Sequence, residues 1–162
     1  MVNVLVTGGA GFIGSNFVRY ALTTHADWRV TTLDKLTYAG RLENLKSLDG
    51  HPRHTFVHGD IADAAVAAPL VQAADYVVHF AAETHVDRSI LHAGDFITTD
   101  VFGTFVLLEA ARETPTLRRF VVSKDRRFNL SFTLAGIGSF SNILGAFGIG
   151  QGATGTSGGK HY

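Results

Sequence analysis

The sequence contains no cysteine and no excess of charge of either sign, and each absence excludes a class of protein. Without cysteine the chain forms neither a disulfide nor a thiolate metal site, which fits a reducing compartment such as the cytoplasm. Fourteen basic residues balance fourteen acidic ones, so net charge offers no attraction for nucleic acid or an anionic membrane. We therefore expect a small-molecule partner, with no nucleic acid and no membrane.

The first residues lack a basic leader and a long apolar run. The opening "MVNVLV" is a short apolar stretch, typical of a buried strand rather than of a signal peptide or a membrane span. At 162 residues the chain is long enough for one domain with a real core.

Strand-like and helix-like segments alternate along the first three quarters of the chain. Apolar helical spacing follows the first strand from Phe12 to Leu22, Asp63 is placed to cap a helix beginning near Ala64, and Asp95 to Arg112 is long and amphipathic. Strands are predicted at 2–6, 29–33, 54–57, 76–80 and 119–122. This alternation predicts an α/β fold, a Rossmann-type doubly wound parallel sheet.

The stretch "LVTGGAGFIGSN" places glycines between the first strand and the first helix. It fits Gly9-x-Gly11-x-x-Gly14, the dinucleotide fingerprint, and also Gly8-x-x-Gly11-x-x-Gly14 after Thr7, the short-chain dehydrogenase variant. Either spacing brings bare backbone and a helix N-terminus close to a pyrophosphate.

Asp34 ends the second strand, twenty residues after Gly14. A carboxylate there can bind the adenosine ribose hydroxyls and repel a 2′-phosphate, so NAD is favoured over NADP. The nearby cations Lys35 and Arg41 favour the opposite choice.

Five segments together resemble the N-terminal half of dTDP-glucose 4,6-dehydratases, which are extended short-chain dehydrogenases. They are "VTGGAGFIGSNFVRY", "LDKLTYAGRLENL", "FVHGDIAD", "VVHFAAETHVDRSI" and "GTFVLLEAAR", within residues 2–123. The first motif also fits sugar-nucleotide epimerases and reductases, whereas "KLTYAGRLENL" and "AAETHVDRSI" narrow the choice to the dehydratases.

This resemblance implies NAD as the cofactor and a nucleotide sugar, dTDP-glucose, as the substrate. Substrate contacts are expected from Thr84, His85 and Arg88. The expected cofactor contacts are Thr7, Gly8, Gly11, Phe12, Ile13, Gly14, Asp34, Lys35, Thr37, Ala39, Asp60, Ile61, Ala81, Ala82 and Thr99. The helix containing "GTFVLLEAAR" takes part in dimerisation in this family, so a homodimer is implied as a possibility.

The catalytic segment departs from the family. Dehydratases have a segment resembling Ser-Thr-Asp-Glu-Val-Tyr-Gly after the fifth strand, where this chain has "SKDRRFN". Asp125 matches the acid that protonates the departing 6-hydroxyl, but Arg126 replaces the glutamate base and Phe128 the tyrosine. A protonated arginine cannot remove the C5 proton. The family also uses a tyrosine, with a lysine four residues after it, to take the proton from the sugar 4-hydroxyl. No tyrosine of this chain is followed four residues later by lysine, so this acid-base pair is absent as well.

The last part of the chain has an unusual composition. Half of the eighteen glycines lie within residues 136–162, and no charged residue occurs between Phe128 and Gly159. We expect residues 1–123 to form an incomplete, truncated NAD-binding domain, followed by a divergent, uncharged Gly-rich tail at 124–162. Asparagines, serines and glycines favour a disordered or loosely attached tail over a transmembrane helix.

Two alternatives stay open beside an impaired dTDP-glucose 4,6-dehydratase. The first alternative is a non-catalytic NAD-binding module, and the second is another nucleotide-sugar epimerase or dehydratase. A metal site is not expected, because His51, His54 and His58 have no carboxylate or thiolate in a recognisable ligand spacing.

Overall fold

A computed structural model describes residues 1–83, 97–125 and 128–133 of the chain. Strands and helices alternate through the first five strands, which confirms the predicted doubly wound α/β fold. The elements are β1 (Val2–Thr7), α1 (Phe12–Thr24), β2 (Trp28–Asp34), a 3-10 helix (Leu42–Leu48), β3 (His54–His58), α2 (Ala64–Gln72), β4 (Tyr76–His79), a π-helical segment (Ile97–Gly103), α3 (Thr104–Arg112), β5 (Arg119–Asp125) and β6 (Phe128–Thr133).

The sheet has the strand order β3-β2-β1-β4-β5-β6. Strands β1 to β5 are parallel, and β1 lies between β2 and β4, so that Thr7 pairs with both Leu33 and His79. The chain leaves β3 at one edge and returns to β4 on the other side of β1. Such a reversal opens a crevice at the carboxyl ends of β1 and β4, where ligands of open α/β sheets bind.

Alternate residues of the central strands supply two apolar cores, one on each face of the sheet. Val4 and Val6 pack with Val18 and Leu22 of α1, whereas Leu5 packs on the opposite face with residues of α2 and α3 such as Leu107. Because β1 is buried on both faces, its residues Val4–Val6 form a continuous apolar run in the sequence.

Helix α2 begins where the sequence predicts. The Asp63 carboxylate caps it by accepting a hydrogen bond from the Ala65 amide at 2.9 Å. The helix continues through Pro69, whose carbonyl accepts from the Ala73 amide at 3.1 Å. Among the described helices none is long and apolar enough to cross a membrane.

Strand β6 was not expected, and the predicted domain boundary at residue 123 falls inside β5. Strand β6 pairs antiparallel with β5, with Val122 opposite Leu130 and an irregularity between Ser123 and Asp125. Its sequence "FNLSFT" alternates apolar with polar residues, a strand pattern that the glycine-rich composition of the following residues obscures. Residues 134–162, the rest of the predicted tail, lie outside the described part of the chain.

Candidate functional site

The glycine loop lies directly against the end of β4. Gly8 has a φ of +70°, and a Cβ at this position would stand 2.5 Å from the Ala81 backbone nitrogen. Glycine is therefore required here both by backbone conformation and by close packing. This contact brings the loop after β1 and the loop after β4 together at the crevice.

The crevice is a cavity of about 600 Å³ at the carboxyl ends of β1 to β4. Its lining includes fourteen of the fifteen residues predicted to contact the cofactor, with Thr99 reaching it from the π-helical segment. The lining residues are Gly8, Gly11, Phe12, Ile13, Gly14, Leu33, Asp34, Lys35, Thr37, Ala39, Gly40, Gly59, Asp60, Ile61, Phe80, Ala81, Ala82, Glu83 and Thr99.

Of the two glycine spacings, the structure favours the short-chain dehydrogenase variant. Gly8, Gly11 and Gly14 line the cavity, whereas a Cβ on Gly9 would meet the Thr32 side chain at 2.5 Å. Helix α1 begins at Phe12, and its N-cap Gly11 has no side chain to occupy the first amides. This arrangement leaves backbone N–H groups at a helix N-terminus facing an open cleft.

Thr7 is the predicted contact that does not line the cavity. Its side chain is fully buried, and its hydroxyl lies 2.6 Å from Nδ1 of the buried His79. The other ring nitrogen of His79 is 3.1 Å from the Thr104 hydroxyl, which itself donates to the Asp100 carbonyl at 2.7 Å. Thr7 therefore helps to join β1, β4 and the π-helical segment, and its predicted contact with the cofactor stays a prediction.

This chain of hydrogen bonds assigns the proton on His79. Because a carbonyl only accepts, the Thr104 hydroxyl must donate to Asp100 and accept from His79 Nε2–H. A neutral imidazole then accepts at Nδ1 from the Thr7 hydroxyl. The Asp100 carboxylate in turn accepts from the Glu83 amide at 2.9 Å. The Asp100 carboxylate thus connects the π-helical segment to Glu83, four residues after β4.

The Asp34 carboxylate, which lines the cleft, is held by two backbone amides. One carboxylate oxygen accepts from the Ala10 amide at 2.9 Å and the other from the Leu36 amide at 2.8 Å. Leu36 has a φ of +56°, an unusual conformation for leucine that brings its amide to this carboxylate. Each oxygen retains a second lone pair for a hydroxyl donor.

Lys35 and Asp60 form an ion pair across the lining of the cavity. The ammonium Nζ lies 2.5 Å from Oδ2 of Asp60, whose Oδ1 accepts from the Ala62 amide at 2.9 Å. Burial opposes ionisation of Asp60, but the hydrogen bonds from Lys35 and Ala62, together with the lysine charge, outweigh it. They lower the pKa of this carboxyl below its ordinary value.

The cleft also has apolar walls suited to flat rings. Phe12 and Ile13 are 81% and 64% exposed at the start of α1, although both are large apolar residues. Ile61 and Phe80 line the same space from the loops after β3 and β4. Apolar walls with a few fixed polar groups are typical of a small-molecule site.

Five residues that line the cavity are not among the predicted cofactor contacts: Leu33, Gly40, Gly59, Phe80 and Glu83. The position of Gly40 next to the predicted contact Ala39 is a signal that could have identified it. In the structure a Cβ on Gly40 would stand 2.5 Å from the Asp34 carboxylate. Leu33 and Phe80 adjoin predicted residues at strand ends. Their side chains carry no sequence signal that separates a cleft wall from the core.

Several predicted residues cannot be placed. Thr84, His85 and Arg88 lie outside the described residues, as does Arg126. Asp125 is described as the last residue of β5, at the carboxyl end of that strand.

The three histidines near β3 each have a separate partner. His54 Nε2 is 3.1 Å from the Thr32 hydroxyl, His58 Nε2 is 3.1 Å from the Lys35 carbonyl, and His51 accepts from the Arg53 amide. Burial and the neighbouring His51 lower the pKa of His54, and Asp49 partly offsets them. Within the described ranges, no three metal-ligating side chains are grouped to hold an ion.

A family model described as GDP-mannose 4,6 dehydratase matches residues 5–128. The chain belongs to that family. Among curated relatives, Agl12, a low-salt glycan biosynthesis protein of Haloferax volcanii, is 54% identical over 124 residues, which are 76% of this chain and 40% of that protein. The dTDP-glucose 4,6-dehydratase of Mycobacterium tuberculosis is 52% identical over 111 residues, 68% of this chain and 33% of that enzyme.

Solved structures of dTDP-glucose 4,6-dehydratases are also similar to this chain. The Streptomyces venezuelae dTDP-glucose 4,6-dehydratase DesIV, a double mutant with NAD and DAU bound, matches with a TM-score of 0.67 and 50% identity, over 72% of this chain and 37% of that one. The Bacillus anthracis dTDP-glucose 4,6-dehydratase in complex with NAD matches with a TM-score of 0.66 and 38% identity, over 75% of this chain and 37% of that one. The chain therefore spans about two fifths or less of the length of these relatives.

Proposed function

We propose that this chain is the cofactor-binding part of a dTDP-glucose 4,6-dehydratase and that its cleft holds NAD. The observation that carries the proposal is the cleft itself. A glycine-only backbone cradle, a helix N-terminus and a fixed carboxylate line one cavity at the switch point of the sheet.

The residues present fit each part of a dinucleotide. The amides that begin α1 suit the pyrophosphate, because Gly11 supplies no competing cap and the first turn, residues 12–15, contains no acidic side chain. Asp34 has lone pairs left for the ribose hydroxyls, and Asp60 and Ile61 suit the edge of the adenine. Ala81 and Ala82 leave space along the cavity toward the nicotinamide.

NAD would supply a hydride acceptor that takes a hydride from the sugar and later returns it. The groups that bind dTDP-glucose and move its protons would come from the loop after β4 and from β5. There Thr84, His85 and Arg88 are the proposed substrate contacts and Asp125 is the proposed acid.

Relatives crystallised with NAD support the cofactor. Solved epimerases also match, at 31% identity for one from Methanothermobacter thermautotrophicus, against 50% for DesIV. The dehydratase assignment is therefore favoured over an epimerase.

A second candidate is a non-catalytic NAD-binding module. The observation that favours it is the presence of Arg126 and Phe128 where dehydratases have the glutamate base and the tyrosine. This module would hold the cofactor in the same cleft without turning over a sugar.

Titration of the full chain with NAD, followed by incubation with dTDP-glucose, separates the candidates. One-to-one binding with formation of the 4-keto product supports the dehydratase. Binding without product supports the module, and a folded chain that binds no NAD contradicts both.

The family's dimer suggests that this chain is a homodimer as well. Phe102 and Phe105 are 49% and 44% exposed, with ring centroids 6.4 Å apart, and Val101 beside them is 64% exposed. An exposed apolar patch of this kind is typical of an interface. Light scattering of the full chain would test whether it forms a homodimer.

The absence of cysteine fits a cytoplasmic location.

A further inference from the structure

Three charged side chains line the part of the cleft proposed to hold adenosine. Asp34 ends β2, Lys35 follows it, and Asp60 comes two residues after β3. Their charges decide whether the cleft accepts an additional phosphate on the ribose. From the sequence alone, the cations at positions 35 and 41 favour a phosphate and the carboxylate at 34 opposes it; of the two cations, Lys35 lines the cleft.

The structure shows that the Lys35 charge is already compensated. Its ammonium lies 2.5 Å from Asp60 Oδ2, and its backbone carbonyl is 3.1 Å from His58 Nε2. The other Asp60 oxygen is fixed by the Ala62 amide. Lys35 is therefore held at both its backbone and its side chain, and it faces an anchored carboxylate.

Asp34 has no such compensation from a cation in the described hydrogen-bond network. Its oxygens accept from two backbone amides, of Ala10 and Leu36, and so its negative charge is oriented but not neutralised. Across Asp34, Lys35 and Asp60 the formal charge is negative by one unit. Removing the Asp60 charge would make it zero and release an ammonium beside the ribose site.

We propose that Asp60 is a cofactor-selectivity residue: by pairing with Lys35, it withholds that ammonium from a ribose 2′-phosphate and makes the cleft prefer NAD to NADP. This inference rests on the proposed NAD site. It assigns to Asp60 a role in discrimination, separate from any contact with the adenine edge that NAD and NADP share.

The test compares the ratio of NADP to NAD affinity in the full chain and in variants, by calorimetry and by displacement of NAD with NADP. Asp60→Asn keeps the shape of the side chain and removes its charge. We expect the ratio to move toward NADP by on the order of tenfold, as for one charge-assisted hydrogen bond at a partly exposed site. Any effect on the adenine contact or on folding changes both affinities alike and cancels in the ratio.

Two further variants make the result specific. In the double variant Asp60→Asn with Lys35→Met, the gain should disappear, because the released ammonium is absent. Glu109→Gln removes a carboxylate that pairs with Arg112 on α3, away from the cleft lining, and should leave the ratio unchanged.

The inference is overturned if the ratio of NADP to NAD affinity in Asp60→Asn stays within twofold of that in the parent chain. It is also overturned if NADP fails to displace NAD from any variant. A gain that survives in the double variant also overturns it. The proposed NAD site fails separately, if the folded parent chain binds neither cofactor.

Discussion

The two ends of the parallel sheet are built in opposite ways. At the carboxyl ends of the strands, backbone groups and exposed apolar side chains such as Phe12 face an open cavity. At the amino ends, Arg53 donates to the carbonyls of Leu22, His25 and Trp28, at distances of 2.7 to 2.9 Å. His25 also stacks on Trp28, with ring centroids 3.9 Å apart.

This difference separates stability from binding along a single set of strands. At the amino end one arginine donates to three backbone carbonyls, and two of the residues that it contacts, His25 and Trp28, stack on each other. The carboxyl end leaves hydrogen-bonding groups and apolar surface for a ligand. Substitutions at the two ends should therefore affect different measurements.

The largest effect on binding is expected at the glycine loop. Gly8→Ala would place a Cβ 2.5 Å from the Ala81 nitrogen at a positive φ, and the loop must move away from β4. We expect NAD affinity to fall by about 100-fold, as for a displacement of preorganised binding groups. Calorimetric titration measures this change.

Gly50→Ala is the matched control for backbone strain. Gly50 has a φ of +72°, close to that of Gly8, but nothing lies within 4 Å of its added Cβ. We expect a loss of about 1 kcal/mol in the free energy of unfolding and unchanged NAD affinity. Equal losses of NAD affinity in both variants would contradict the role of the Gly8–Ala81 contact.

At the amino end, Arg53→Met should act on stability alone. It leaves three carbonyls without their guanidinium donor, and we expect the free energy of unfolding to fall by about 2 kcal/mol. Urea unfolding measures the loss, with Arg29→Met, a change at an exposed position of β2, as the control. A loss of NAD affinity in a folded Arg53→Met chain would break the separation of the two ends.

The smallest effect concerns the pH dependence contributed by Asp60. Its folded-state pKa is lowered, so its contribution to stability is full above the ordinary value of 3.8 and is lost as the pH falls through the lowered pKa. We expect the difference in unfolding free energy between the parent and Asp60→Asn to shrink as the pH drops below about 4. A difference independent of pH, from denaturant unfolding between pH 7 and pH 3, would contradict the ion pair's contribution.

The sequence predicted most of the sheet because burial on both faces of a strand leaves a run of apolar residues, as in Val4–Val6. It also predicted the Asp63 cap, which is a local hydrogen bond. The 3-10 helix at Leu42–Leu48 was not predicted, since it has no distinct apolar period. Residues 95–112 were predicted as one amphipathic helix, whereas the structure is π-helical at Ile97–Gly103 and α-helical at Thr104–Arg112. Strand β6 was not predicted, because the composition of the whole glycine-rich tail obscures the alternation of apolar and polar residues within this short strand.

For the candidate site, strand ends and glycine spacing located the cleft, because both follow from topology. The pairing of Lys35 with Asp60 did not follow, since the two residues lie on different strand ends and meet only after β2 and β3 align. The contact between Thr7 and His79 was not predicted, for a related reason. Its partner His79 is distant in sequence and becomes adjacent through the β1–β4 register.

Calorimetric titration of the full chain with NAD tests the central claim most directly. The account predicts saturable one-to-one binding that Gly8→Ala abolishes or weakens about 100-fold and that Gly50→Ala leaves intact. A parent chain that unfolds cooperatively and yet binds no NAD would contradict it.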